Sequence, residues 1–297
     1  MSASDAYRNA VDFRRALTDN MKAFCANGHV TMSQLQRHIA YDRLLERMYL
    51  VDHNWIVKGA TALLARSLTV RGTQDIDVAL HQDLTVAIEH LTAAAQLDIG
   101  DWFAFDIRRI RISDRGVASI SITARLGQPV WCEFRVDLVD GRRVPYDQPE
   151  MVPPIARQLI PDSSPAGYFV TALTRHVAEK VAATYERHGA QQRPSTRFRD
   201  LADLVSIARG AQLEAKALAA SLASEFAYRG MQLPSHFSIP SRELWASGYS
   251  RVAREAALLD ALTLDDALAE VSALLNPILG GRVSGQWSPL TRQWVDV

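Results

Sequence analysis

Hydrophobic positions along the chain follow two periods, and the change between them divides it. Phe13, Leu17, Met21 and Phe24 recur at helical spacing, and Gly28 predicts the end of that helix. "MSQLQRHIAYDRLLERMYL" predicts a second helix, capped by Thr31 or Ser33. "NWIV" reads as a short strand and "ALLARSL" as a short helix, while "DLTVAIEHLTAAAQL" has full helical spacing. "DIDVAL", "FDIRRIRI", "ASISITARL" and "VWCEFRVDLV" alternate with the strand period of two. Residues 55–140 therefore predict a mixed α/β sheet unit.

Residues 144–167, "VPYDQPEMVPPIARQLIPDSSPAG", hold six prolines in 24 positions, more than a long helix or central strand tolerates. The domain boundary is placed there, giving an N-terminal domain of residues 1–145 and a C-terminal domain of 146–297. From Tyr168 onward the pattern is helical, through "YFVTALTRHVAEKVAATYERH", "RFRDLADLVSIARG", "LEAKALAASLASEFAYRG", "SGYSRVAREAAL" and "LDDALAEVSALLNPIL". The tail "GGRVSGQWSPLTRQWVDV" carries Trp287 and Trp294 without a regular period, so it either wraps the body or meets a neighbour.

The chemistry concentrates in "KGATALLARSLTVRGTQDIDVAL", residues 58–80. On a strand, Asp75, Asp77 and Ala79 share one face and Ile76, Val78 and Leu80 the other. Two carboxylates a few ångströms apart repel by roughly 3 kcal/mol at an effective dielectric near 20, which favours nothing unless a cation lies between them. An all-oxygen ligand set suits magnesium or manganese. The plain alternative is a solvent-facing strand with an acidic outer row. Upstream, Lys58, Gly59 and Thr61 stand at a strand-to-helix turn, where a glycine permits close approach and free helix N–H groups suit phosphate. Arg71 and Thr73 lie just before Asp75, within reach of the same triphosphate. The G-x-x-x-x-G-K-[ST] signature does not occur, so the turn is not a P-loop.

In "VWCEFRVDLV", Glu133, Arg135 and Asp137 share a face. Either a third carboxylate joins Asp75 and Asp77, as metal ligand or general base, or Arg135 makes a salt-bridge ladder on a solvated strand. Asp137 is the choice for that carboxylate, with Glu133 second, because "RVDLV" repeats the setting of "DIDVAL". Lys180 borders the apolar stripe of Val177, Val181 and Tyr185, which suits an ammonium at a groove edge as well as a solvated one. Asp200 and Asp203, with Arg197 and Arg199 adjacent, read as a surface helix with intrahelical pairs.

Lys+Arg and Asp+Glu are equal at 33 each, which excludes a grossly basic nucleic-acid coat but not a local groove. Arg108, Arg109, Arg111, Arg142, Arg143, Arg193, Arg197 and Arg199 are the candidates for such a groove. The eight histidines show neither H-x-x-H nor H-E-x-x-H, arguing against zinc catalysis, and no serine has a nucleophile-elbow context. Two cysteines without metal-ligand spacing fit a reduced cytoplasmic protein. Neither a signal-peptide pattern nor an 18-residue apolar run is present, so no membrane role is expected.

Four motifs in order, "KGATALLAR", "RGTQDIDVAL", "AEKVAATYER" and "RFRDLADLV", resemble the nucleotidyltransferases of the AbiEii toxin family, whose MenT members modify tRNA. The resemblance covers roughly residues 50–210 and departs from the family in reading Gly-Ala-Thr where relatives often have Gly-Gly or Gly-Ser. It implies a nucleotidyltransferase-like α/β domain followed by a helical one, with magnesium and a nucleoside triphosphate as substrate. By motif it implies Gly59 and Thr61 as phosphate-turn residues, Asp75 and Asp77 as the metal pair, Lys180 as a phosphate contact and Asp200 as the later acid. The expected activity is transfer of a pyrimidine nucleotide, from CTP or UTP, to the 3′ end of tRNA, blocking aminoacylation. The cognate antitoxin would act without a stable complex. Transfer to a small-molecule or protein hydroxyl, and a catalytically inactive binding module of the same fold, are the alternatives.

Overall fold

The computed structural model describes residues 7–26, 30–68, 72–114, 116–143, 147–159, 167–258 and 263–296. Gly28 and Arg71 lie outside these, as does the side chain of Arg143. The chain forms two compact units, Met1–Thr171 and Ala172–Val297.

Unit 1 opens with helix α1 (Ala10–Ala26), whose Phe13, Leu17 and Met21 are buried while Phe24, expected on the same stripe, is exposed. Helix α2 (Met32–Val51) starts at a capping box: Thr31 Oγ1 accepts from the Gln34 N–H and Gln34 Oε1 from the Thr31 N–H. Strand β1 (Trp55–Lys58) turns directly into the seven-residue helix α3 (Gly59–Ala65), and β2 (Asp75–Leu80) and helix α4 (Leu84–Gln96) follow. Strands β3 (Phe103–Ile112), β4 (Val117–Leu126) and β5 (Val130–Asp140) form an antiparallel meander.

The sheet runs in the order β3-β4-β5-β2-β1 and continues through β7 (Tyr168–Val170) to β6 (Glu150–Val152), and the pairs β2/β5 and β1/β7 are parallel. Its apolar face, with Ile76, Val78, Val136 and Leu138, joins Ile39, Leu44 and Leu91 of α2 and α4 in one core. The last two strands, β6 and β7, come from the region read as linker and helix start. Proline-flanked β6 takes the sheet edge, where few ladder bonds are demanded. Tyr168–Val170 is thus a strand rather than the first turn of a helix, and the two units divide after Thr171 rather than at residue 145.

Unit 2 contains helices α5 (Leu173–Tyr185), α6 (Phe198–Gly210), α7 (Ala215–Tyr228), α8 (Arg242–Glu255) and α9 (Leu264–Leu279). A two-residue hairpin pair, β8 (Arg187–His188) and β9 (Arg193–Pro194), joins α5 to α6. The tail is ordered on its own unit. Strands β11 (Gln286–Ser288) and β12 (Gln293–Val295) form a hairpin that pairs with β10 (Leu213–Glu214). Trp287 Nε1 donates to the Ala208 carbonyl and Trp294 Nε1 to that of Leu274, which fixes the hairpin to α6 and α9. Among the described residues, no helix is long and apolar enough to cross a membrane.

Candidate active site

Strand register assembles the acidic row. Antiparallel pairing sets Lys58 of β1 opposite Asp77 of β2, and parallel pairing sets Asp77 beside Asp137 and Asp75 beside Arg135 of β5. Antiparallel pairing then continues from Asp137 to Ser119 and from Arg135 to Ser121 of β4. Neighbours across a sheet point to the same face, so Lys58, Asp77, Asp137 and Ser119 form one polar rung, and Asp75, Arg135 and Ser121 the next. Glu133 lies opposite Thr123, beyond the first residue of β2, and accepts from the Thr123 hydroxyl at 3.3 Å. Between the two candidates on β5, Asp137 is the one the register sets against the D-x-D strand.

Gly59 meets the requirement for close approach, but toward a protein group. Its φ is +59°, and a Cβ there would fall 1.9 Å from Asp77 Oδ2. The turn holds the Asp77 carboxylate against bare backbone, which a larger residue would displace. Thr61 is buried, and its hydroxyl donates to the Asp75 carbonyl at 3.1 Å, bracing β2 rather than facing outward for a phosphate. Thr73 Oγ1 donates to Asp75 Oδ1 at 2.7 Å, and Arg135 Nη2 approaches Asp75 Oδ2 at 3.4 Å. The salt bridge foreseen as the plain reading of Arg135 is therefore present, on the same face as the acidic row.

Two residues of α2 that the sequence did not single out complete this frame. Arg37 Nε at 3.2 Å and Tyr41 OH at 3.0 Å both donate to the Thr73 carbonyl. Burial foremost, with the Asp75 charge adding to it against the opposing Arg37 cation, holds the Tyr41 phenol well above its usual value, so it remains a donor. Their helical spacing marks both as α2 residues, but nothing local announces that they reach the loop before β2.

As they stand, no three His, Cys, Asp or Glu side chains among the described residues converge on a common metal position. Asp75 is drawn aside by Thr73 and Arg135. Asp137 differs: its Oδ1 is buried without a hydrogen-bond partner. A buried carboxylate oxygen left bare beside a second carboxylate is costly unless a cation or proton joins it. Magnesium takes one or two protein carboxylates and completes its shell with substrate phosphates and water, so the Asp77–Asp137 pair fits it without a preformed cage.

Unit 2 holds a second charged cluster. Lys180 is buried at 7% exposure, and its Nζ donates to Asp200 Oδ1 at 3.0 Å and to Asp203 Oδ2 at 2.6 Å. Arg197 Nε donates to Asp200 Oδ2 at 2.6 Å, the intrahelical pair expected, but Asp200 and Asp203 are buried rather than on a surface helix. Burial works to raise Asp200, yet Lys180 and then Arg197 outweigh it and hold the carboxyl down to about 2. Burial likewise works to lower the Lys180 ammonium, and Asp200 with Asp203 overcomes it, so the group is raised. Lys180 is therefore not the loosely held groove-edge ammonium its spacing suggested.

The candidate RNA-binding arginines also separate. Arg142 is engaged by Asp140 and Asp83, Arg197 by Asp200, Arg199 by Glu255 at 3.9 Å and Arg193 by Gln191. Arg108 reaches Thr123 Oγ1 at 3.3 Å and Asp106 at 3.5 Å, while Arg109 and Arg111 are exposed on β3.

Residues 43–276 match the family model described as "Nucleotidyl transferase AbiEii toxin, Type IV TA system". No curated protein matches the chain. Among solved structures, JHP933 from Helicobacter pylori is similar at 16% identity over 85% of this chain and 94% of that one, with a TM-score of 0.48. MenT4, a nucleotidyltransferase toxin from Mycobacterium tuberculosis H37Rv, is similar at 18% identity over 82% and 91%, with a TM-score of 0.45. The family model spans most of both units and includes the turn, the D-x-D strand and the Lys180 helix, and the chain belongs to the AbiEii nucleotidyltransferase toxins of type IV toxin–antitoxin systems.

Proposed function

We propose that this nucleotidyltransferase transfers a pyrimidine nucleotide, from CTP or UTP, to the 3′ end of tRNA and so blocks aminoacylation. The observation that carries the catalytic half is the parallel register of β2 and β5, which sets Asp137, with its unpartnered buried Oδ1, beside Asp77. Asp77 and Asp137, with Asp75 on the next rung, are the residues that would hold magnesium. When bound, the ion supplies charge stabilisation at the α-phosphate.

In this reading the Asp137 carboxylate receives the proton of the attacking ribose hydroxyl. The ribose oxygen forms its bond to the α-phosphorus as the bond to the bridging oxygen of the β-phosphate breaks, and pyrophosphate departs. Gly59 keeps the Asp77 carboxylate in place, and Thr61 and Thr73 hold Asp75 from its backbone and side-chain oxygens. Lys58, in the same rung as Asp77, is the cation of unit 1 assigned to the leaving phosphates. Lys180, the phosphate contact that the family resemblance implies, is held within unit 2 by Asp200 and Asp203.

The acceptor rests on the family and on the basic strand β3. The cytoplasm is the compartment assigned, and the antitoxin is taken to act without a stable complex. Incubation of the protein with total tRNA, magnesium and each labelled triphosphate in turn tests this reading. A 3′-extended tRNA with CTP or UTP is expected. Label on a protein or small molecule instead would transfer the same chemistry to a different acceptor.

A further inference from the structure

The polar face does not stop at the carboxylates. Pairing of β3 with β4 sets Arg111 opposite Ser119 and Arg109 opposite Ser121. The rung of Asp77, Asp137 and Ser119 therefore ends at Arg111, and the rung of Asp75, Arg135 and Ser121 ends at Arg109.

A β-bulge makes this possible. Along the first half of β3, Phe103, Phe105 and Ile107 face the core, and strict alternation would send residues 109 and 111 to that same side. The register shifts between Ile107 and Arg109, with Arg108 as the inserted residue. Beyond the bulge the sides exchange. Ile110 and Ile112 take the apolar side, where they are 42% and 61% exposed, and Arg109 and Arg111 join the carboxylate side. Arg108 also reaches the polar face, since its Nε bonds Thr123, the neighbour of Glu133. Bulges at sheet edges redirect side chains in this way, and β3 is an edge strand.

We propose that this face of β3–β4–β5 is the track of a single-stranded RNA 3′ end, with Arg109 and Arg111 holding phosphates a short distance upstream of the reacting hydroxyl. The inference rests on the function proposed above and adds the path of the acceptor strand. Three strand spacings separate Asp77 from Arg111, roughly 14 Å. That is about four stacked nucleotides at roughly 3.4 Å each, and fewer if the strand is extended. Arg109 and Arg111 stand two residues apart on one strand, about 7 Å, which suits successive backbone phosphates. A chain with no net charge needs its cations gathered where the strand runs, and here they continue the rungs of the proposed catalytic carboxylates.

The test uses the full chain with labelled CTP or UTP and single-stranded RNAs of two to twelve nucleotides sharing the 3′ sequence of tRNA. For the wild type, KM for RNA should fall about tenfold as length increases from two to five nucleotides and then level. In the double variant Arg109→Ala, Arg111→Ala the length gain should vanish and the salt slope should fall by roughly 0.7 per lost phosphate contact, with KM for the triphosphate unchanged. Arg109→Lys, Arg111→Lys should restore most of the gain, which a folding defect would not allow. If the wild type extends RNA but the alanine variant keeps the same length dependence and salt slope, the track is wrong and the proposed function stands. If the wild type extends no RNA of any length, including tRNA, both are wrong.

Discussion

Replacing Lys180 by methionine removes the ammonium from two buried carboxylates while keeping an unbranched apolar stem. Asp200 and Asp203 are 8% and 1% exposed, and both accept from Lys180 Nζ. Breaking a buried ion pair by removing one partner costs about 3–5 kcal/mol, because a charge is left without compensation. For a unit of this size that is a fall in melting temperature on the order of 10 °C. The pH dependence identifies the cause. In the wild type, Asp200 is held at about 2 against an ordinary 3.8, so its contribution, about 2 kcal/mol, is present above pH 4 and lost as pH falls through 2. In Lys180→Met the buried carboxyls become easier to protonate, so the deficit should shrink between pH 7 and pH 5. Calorimetry of the full chain at both pH values measures this. A second cycle, with Asp203→Asn in each background, gives the coupling between the two residues. A loss below 1 kcal/mol at pH 7, or a deficit independent of pH, would refute the buried triad.

Three further outcomes follow from unit 1. Gly59→Ala places a methyl group where Asp77 Oδ2 lies and forces a left-handed conformation costing about 1 kcal/mol, so transfer should fall at least a hundredfold with only a small change in melting temperature; unchanged turnover would contradict the cradle. Asp137→Asn should abolish transfer without loss of stability, because it relieves repulsion with Asp77, and a large drop in melting temperature would show that Asp137 is a structural residue. The buried Asp42 carboxyl is pushed up to about 7, burial outweighing its two backbone N–H bonds, so its ionisation disfavours the folded state and its contribution to stability declines as pH rises from 4 through 7. Asp42→Asn should flatten that slope in urea titrations at pH 5 and pH 7, and an unchanged slope would assign it to other groups.

Local signals carried the elements of the site, and non-local pairing carried its assembly. The D-x-D strand, the glycine after β1 and the capping box at Thr31 are legible because period, backbone freedom and capping act within a few residues. The partner of β2 is not legible: β5 lies some sixty residues away, and only the parallel register shows that Asp137 rather than Glu133 stands beside Asp77. The bulge after Ile107 reverses the faces of "RRIRI" and leaves no mark in the alternation. Tyr168–Val170 runs without a break into a helical pattern, so the last sheet strand is hidden in front of α5. Lys180 is the converse case, since its position beside the apolar stripe is readable but the carboxylates that neutralise it come from the facing helix α6.

If the Asp77–Asp137 pair drives nucleotide transfer to tRNA, α-phosphate label moves from CTP or UTP to tRNA in the presence of magnesium. The wild type should label the 3′ end and release one pyrophosphate per nucleotide, with Asp77→Asn and Asp137→Asn each reducing the rate at least a thousandfold while the protein remains folded. Labelling of tRNA by Asp77→Asn or Asp137→Asn at the wild-type rate would show that the pair does not drive transfer.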